Sequence, residues 1–248
     1  MYFESIFATI SFNLIYMSRS LLITGPTSVG RTQLAYELAR RQKGEVINGD
    51  KFYFYKEFNI GTGVSDSLNN PDVKKHLYQI LNPFDNAPNA SEYKDLANIA
   101  IDEIGQRYRL PIMEVYPFSY VKRLSEEKDG TELAIFGLIP SLDIDLEEKI
   151  RRRGEIMLEE GLLAEIEEAL EKGYRNTFVM QNSFIYGPLI KFIDGQISLE
   201  KAKEEIIQLC LEREKEVYER FQSIPFIKWI THNSRDIEPS IKRILKWL

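Results

Sequence analysis

An α/β fold is predicted: a parallel sheet with helices on both faces and a helical lobe towards the C-terminus. Three observations predict it. Short apolar runs recur at residues 20–24, 45–48, 111–115, 132–138 and 226–230, with helical patterns between most of them. Such alternation marks parallel strands joined by crossover helices. The first run passes straight into a glycine-bounded loop and then a helix. Between about residues 143 and 221 the pattern is helical almost throughout. That places a helical lobe over the C-terminal ends of the strands, where such folds bind ligands. The expected organisation is an extension over residues 1–16, then one domain over 17–248 with the lobe at about 143–221.

The first βα unit carries the chemistry. Residues 20–24 read as a buried strand and run into Gly25-Pro26-Thr27-Ser28-Val29-Gly30-Arg31-Thr32. Leu34, Ala35, Leu38 and Ala39 then share one helix face. Strand, glycine-bounded loop and helix are the context of a phosphate-binding P-loop, so the fold class is P-loop NTPase-like. Gly25 and Gly30 let backbone N–H groups turn inward. The helix N-terminus adds partial positive charge at the same point. Thr32 supplies a hydroxyl suited to Mg²⁺. Arg31 stands where the pattern asks for Lys; it keeps the charge and grips phosphate through a planar fork. The plain alternative is an ordinary tight turn that happens to contain glycines.

The second strand, 45–48, leads to Asp50. An aromatic run at 52–55 follows, then Asn59-Ile60-Gly61-Thr62-Gly63 and a turn-like Asn69-Asn70-Pro71. Residues 76–81 form a short apolar stretch. Ser91 is the expected N-cap of a helix whose apolar face is Tyr93, Leu96, Ala97, Ala100, Ile101 and Ile104. A strand at 111–115, a short helix at 118–124, an exposed charged stretch at 125–130 and a strand at 132–138 come next. Helices are expected at 146–159, 161–172, 184–193 and 199–221, then a late strand at 226–230 and a closing helix at 237–248.

Composition is that of a globular chain of 248 residues with net charge −6. No global basic balance marks nucleic-acid binding. One cysteine, Cys210, excludes an internal disulfide, and with two histidines it argues against a His/Cys metal site. The first sixteen residues are apolar but lack a basic start and carry Glu4; they are too short and interrupted for a membrane span. They read as an extension ahead of Met17. A cytoplasmic protein with no membrane contact is expected.

Longer motifs add a resemblance. GPTSVGRT at 25–32 is similar to a GPTxSGKT loop. Tyr55-Lys56-Glu57-Phe58-Asn59-Ile60-Gly61-Thr62 is similar to a Tyr-x-x-hydrophobic-x-Ile-Gly-Thr run. Leu146, Lys149-Ile150, Arg153, Met157, Gly161-Leu162 and Glu165 follow a long spaced pattern, and His76-Leu77, Glu92-Tyr93 and residues 192–198 fit further segments. Over about residues 20–231 the chain resembles the isopentenyltransferases that prenylate adenine N6: tRNA dimethylallyltransferases and the adenylate isopentenyltransferases of cytokinin synthesis. The departures are Arg31 for Lys, Lys51 for Ser, Val115-Tyr116-Pro117 for Gly-Gly-Thr, Ile185-Tyr186-Gly187-Pro188 for Gly-Tyr-Arg-Gln, and loss of a Lys-Arg-Gln signature near residues 213–218.

The resemblance implies transfer from dimethylallyl diphosphate with Mg²⁺. Gly25, Thr27, Gly30, Arg31 and Thr32 would bind the diphosphate, with Thr62 and Arg153 facing it. Asp50 would accept the N6 proton, and Arg31 and Thr32 would share in catalysis. Arg151 and Arg152, about 100° and more around the helix from Arg153, would be solvated. Phe52, Phe54, Tyr116 and Phe118 are candidates for the prenyl wall, and His76 reads as structural. Residues 119–132 leave no room for the helical insertion of the tRNA enzymes, so a free adenine nucleotide is the expected acceptor, with tRNA second. A nucleotide or small-molecule kinase and a decayed relative that only binds a partner are the rival readings.

Overall fold

The computed structural model describes residues 19–126, 132–143 and 145–248. The expected extension at 1–16 and most of the exposed stretch at 125–130 lie outside the described residues. Six strands form one sheet: β1 (Arg19–Thr24), β2 (Gly44–Gly49), β3 (Lys75–His76), β4 (Leu110–Val115), β5 (Glu132–Pro140) and β6 (Lys228–His232). Their order is β3-β2-β4-β1-β5-β6, and every pair is parallel. The helices are α1 (Arg31–Gln42), α2 (Ser65–Leu68), α3 (Ala90–Gln106), α4 (Phe118–Ser125), α5 (Leu146–Glu159), α6 (Leu162–Glu171), α7 (Phe178–Asn182), α8 (Tyr186–Ile193), α9 (Leu199–Phe221) and α10 (Glu238–Leu245).

Strand alternation divides the core between the two faces. Leu22, Ile47, Met113 and Ile135 pack under Tyr93, Ala97, Ala100 and Ile104 of α3. Leu21, Ile23, Val46, Ile112 and Phe136 point the other way, against Leu34 and Leu38 of α1 and Ile241 and Ile244 of α10. Leu21, Leu22 and Ile23 have no exposed surface. Burying each of them stabilises the fold by about 1.5–3 kcal/mol. Helices α5 and α8 both pack on α9. Among the described residues no helix is long and apolar enough to cross a membrane.

Three expectations shift. The cap of α3 is Asn89, not Ser91: its side chain accepts from the N–H groups of Ser91 and Glu92, and Glu92 accepts from the Asn89 N–H in return. This reciprocal arrangement satisfies end groups that a cap two residues later would leave open. The late strand starts at Lys228, paired with Phe136, while Phe226 is exposed. The apolar stretch after His76 leaves the sheet because Leu77 and Gln79 take left-handed φ values of 64° and 51°.

Candidate active site

Three neighbouring strands deliver the site. In the order β2-β4-β1, their C-terminal ends carry Asp50, then Glu114 and Tyr116, then the loop to α1. Gly25 enters that loop against β5, with φ 142°. Gly30 closes it at φ 107°, and a Cβ there would lie 3.0 Å from Ser234 Cβ and 3.1 Å from His232 Nε2. Both conformation and space therefore demand glycine. His232 is fully buried, and burial pushes its pKa down to about 4, so a neutral imidazole backs the loop. No side chain caps α1 at Gly30, which leaves its first N–H groups available to an anion.

Arg31 turns inward. It is 8% exposed, and its guanidinium lies 4.6 Å from the centroid of the Tyr116 ring. Burial opposes its charge, but the carboxylates of Glu114 and Asp50 outweigh that and hold its pKa above the usual value. Nη1 is buried without a partner in the protein. Glu114, 2% exposed, accepts the Thr32 hydroxyl at 2.6 Å, and its other oxygen has no partner. Burial raises its pKa against the pull of Arg31 and the Thr32 hydrogen bond. Asp50 accepts the Phe52 N–H at 3.0 Å, and its own N–H donates to Asn48 Oδ1 at 2.7 Å. Burial raises Asp50 as well, opposed chiefly by Arg31. A carboxylate raised in this way is a better proton acceptor. The charge of Arg153 also reaches Asp50 and Glu114.

Two cavities meet here. The inner one, about 180 Å³, has an apolar wall that includes Phe52, Leu162, Phe184, Ile185 and Leu189. Thr27, Asp50, Tyr116 and Glu214 line the same cavity. The outer one, about 740 Å³, is lined by Thr32, Lys149, Arg152 and Arg235 among others. Ser28, Arg31 and Arg153 line both, so Arg31 stands between an apolar chamber and a cationic one.

The other candidates divide. Thr27 hydrogen-bonds Glu214 and Tyr116. The Thr62 hydroxyl donates to the Phe58 carbonyl at 2.6 Å and accepts from the Val64 N–H, so it shapes its own turn while lining the inner cavity. Phe52 and Tyr116 do line that cavity. Phe54 is core, packed on Tyr93, and Phe118 packs on Phe221, so neither ring faces that cavity. Arg151 pairs with Glu147 and Glu204, and Arg152 is exposed. His76 pairs with Glu45 at 2.6 Å. Sequence reasoning assigned no role to Glu114, Glu214 or Lys149. For Glu114 a signal existed, an acid within the otherwise apolar strand Leu110–Val115, since buried charge needs a partner.

Glu165 of α6 explains the Ile-Gly-Thr run. Its carboxylate accepts the N–H groups of Asn59, Ile60 and Gly61 at 2.6, 2.8 and 2.9 Å and the Tyr186 hydroxyl at 2.7 Å. A Cβ on Gly61 would fall 2.6 Å from the Tyr186 ring. Glu165→Gln replaces one accepting oxygen by a donor facing other donors. It should lower stability by about 1–3 kcal/mol in urea unfolding, and an unchanged midpoint would remove this anchor.

Residues 113–212 match the family model described as IPP transferase. The tRNA dimethylallyltransferase of Acetivibrio thermocellus is 24% identical over 305 aligned positions, which take in 93% of this chain and 97% of that one. The enzyme of the same name from Macrococcus caseolyticus is 25% identical, covering 90% and 94%. Among solved structures, the full-length tRNA isopentenylpyrophosphate transferase of Bacillus halodurans superposes with TM-score 0.81 at 22% identity, covering 93% and 95%. The tRNA delta(2)-isopentenylpyrophosphate transferase of Staphylococcus epidermidis does so with TM-score 0.79 at 20% identity, covering 92% and 98%. Of 305 positions in the first alignment, 93% of 248 residues, about 231, come from this chain, so about 74 face no residue of it. The family-model match runs from β4 to α9, and over nearly its whole length the chain is similar in sequence and in fold to enzymes that transfer an isopentenyl or dimethylallyl group.

Proposed function

We propose that the chain transfers a dimethylallyl group from dimethylallyl diphosphate to the exocyclic N6 amine of an adenine in tRNA. The observation that carries this is the meeting of the apolar and cationic cavities at Arg31, with Asp50 beside it. An allylic diphosphate has the same two halves. Its chain fits the apolar wall, and its diphosphate fits the α1 N-terminus and the cations outside. In the reaction the bond from C1 to the diphosphate oxygen breaks and a bond from C1 to N6 forms. Asp50 takes the N6 proton, and inorganic diphosphate leaves.

The residues fit Mg²⁺. The Thr32 hydroxyl and the unpartnered Glu114 oxygen are hard oxygen donors side by side. Among the described residues no cluster of three His, Cys, Asp or Glu side chains could hold a metal. Mg²⁺ needs none, since it takes one or two carboxylates with substrate phosphate and water. Thr32 and Glu114 would hold it, and its charge would offset that of the leaving diphosphate.

The acceptor is assigned from the relatives, whose names specify tRNA; this moves it away from the free nucleotide expected on sequence. The free adenine nucleotide stays as a second reading because about 74 aligned positions have no counterpart here. Incubation with dimethylallyl diphosphate, Mg²⁺ and separate AMP, ADP, ATP and tRNA, read by mass spectrometry, tests both. Modified tRNA is expected, with binding that weakens steeply as salt rises, as phosphate contacts do. Modified AMP, ADP or ATP with unmodified tRNA would replace the first reading by the second. Phosphate transfer from ATP would replace both by a kinase, and an inert, non-binding protein would leave a decayed relative.

A further inference from the structure

We propose that Lys149 supplies the compact ammonium that this P-loop lacks, binding the diphosphate from the outer cavity while holding the loop through the Ser28 carbonyl. The inference rests on the reading of the P-loop as a diphosphate site. It begins with what Arg31 does. Two buried carboxylates and the Tyr116 ring answer most of its charge, and Nη1 is its one nitrogen buried without a partner. A trianionic diphosphate needs more net positive charge than that.

Lys149 enters from the first turn of α5. Its Nζ donates to the Ser28 carbonyl at 2.6 Å and to Ser234 Oγ at 2.7 Å. An ammonium has three protons, so one remains beyond these two bonds. Lys149 lines the outer cavity together with Gly30, Arg31 and Thr32, the residues at the start of α1. Ser28 takes φ 59°, a left-handed conformation that a non-glycine residue keeps only when its surroundings impose it. The Lys149 bond is one such restraint. The Ser28 hydroxyl, between the two cavities, has no partner in the protein.

The charges around Lys149 are of its own sign. Burial, then Arg235 and Arg153, act to lower its pKa. Two acids line the same cavity: Glu160, which is exposed, and Glu37, which is paired with Arg41 at 2.7 Å. A multivalent anion placed here relieves the repulsion and meets charge-assisted donors. Lysine suits the role because it is a compact point charge, whereas the planar fork of Arg31 suits stacking.

Calorimetric titration of inorganic pyrophosphate with Mg²⁺ into wild type, Lys149→Gln, Lys149→Met and Lys149→Arg tests this. Gln keeps a donor for the Ser28 carbonyl without the charge, so it serves should the Met variant fold poorly. The Gln and Met variants should bind about tenfold or more weakly, the scale of a lost charged hydrogen bond. The Arg variant keeps the charge but not the compact ammonium, so it should bind more weakly than wild type and more tightly than the Met variant, and KM for the acceptor should not change. Wild-type affinity in the Gln or Met variant would overturn the proposal. So would an Arg variant as weak as Met, which would make Lys149 a packing residue. A wild-type protein that binds no pyrophosphate would overturn the P-loop reading itself, visible before any variant is made.

Discussion

Asp50→Asn should lower dimethylallyl transfer by about 10²–10⁴-fold, the usual contribution of a general base, and leave donor affinity near that of wild type. The substitution is almost isosteric. The side-chain oxygen that accepts the Phe52 N–H can remain, and the bond from the Asp50 N–H to Asn48 does not involve the side chain. Arg31 keeps Glu114 as its counter-charge. Only the proton acceptor is removed. Burial raises the pKa of Asp50, so in wild type kcat/KM should fall on the acid side of the profile, starting above the ordinary carboxylate range, as Asp50 becomes protonated. That limb should disappear from the residual activity of the variant. Single-turnover measurements across pH, with pyrophosphate titration as the binding control, decide it. Turnover close to wild type would remove Asp50 from the chemistry.

The parts legible in sequence are those that local spacing fixes. The glycines at 25 and 30, the apolar run before them and the helix after them are a single βα unit, so the P-loop could be read directly. Asp50 was legible because it ends a strand, and strand ends face the ligand in this class of fold. The network around Arg31 was not. Glu114 and Tyr116 lie more than eighty residues away, and only the placement of β4 between β1 and β2 brings them to the loop. The prenyl wall failed at Phe54 and Phe118 because composition does not say which of several adjacent aromatics faces a cavity.

The departures from the family pattern gain a physical meaning from this placement. Arg31 stacks on Tyr116, the Tyr116 hydroxyl reaches Glu214 at 3.4 Å, and Glu214 bonds Thr27 of the same loop. Three changes at distant positions in the sequence therefore make one contiguous contact. A decayed pocket has no reason to pair its substitutions. The arrangement reads as a pocket rebuilt around a guanidinium.

Arg31→Ala follows as the second large effect. It leaves Glu114 and Asp50 buried without their principal cation, and breaking a buried pair in this way typically costs about 3–5 kcal/mol of stability. It also removes Nη1, the guanidinium donor buried without a protein partner, so most of the affinity for dimethylallyl diphosphate should be lost. A double variant separates the two consequences. Arg31→Ala with Glu114→Gln takes away one of the stranded charges, so stability should recover in part while donor binding should not. Arg31→Lys keeps the charge but gives up the stacking on Tyr116, worth about 0.5–2 kcal/mol, and it should not improve turnover even though it restores the family residue. Urea unfolding gives the stability arm, and calorimetric titration with dimethylallyl diphosphate and Mg²⁺ gives the binding arm. Equal affinity in wild type and Arg31→Ala would show that the guanidinium never meets the diphosphate. A faster Arg31→Lys enzyme would show that the stack on Tyr116 is a burden on the site and not its design.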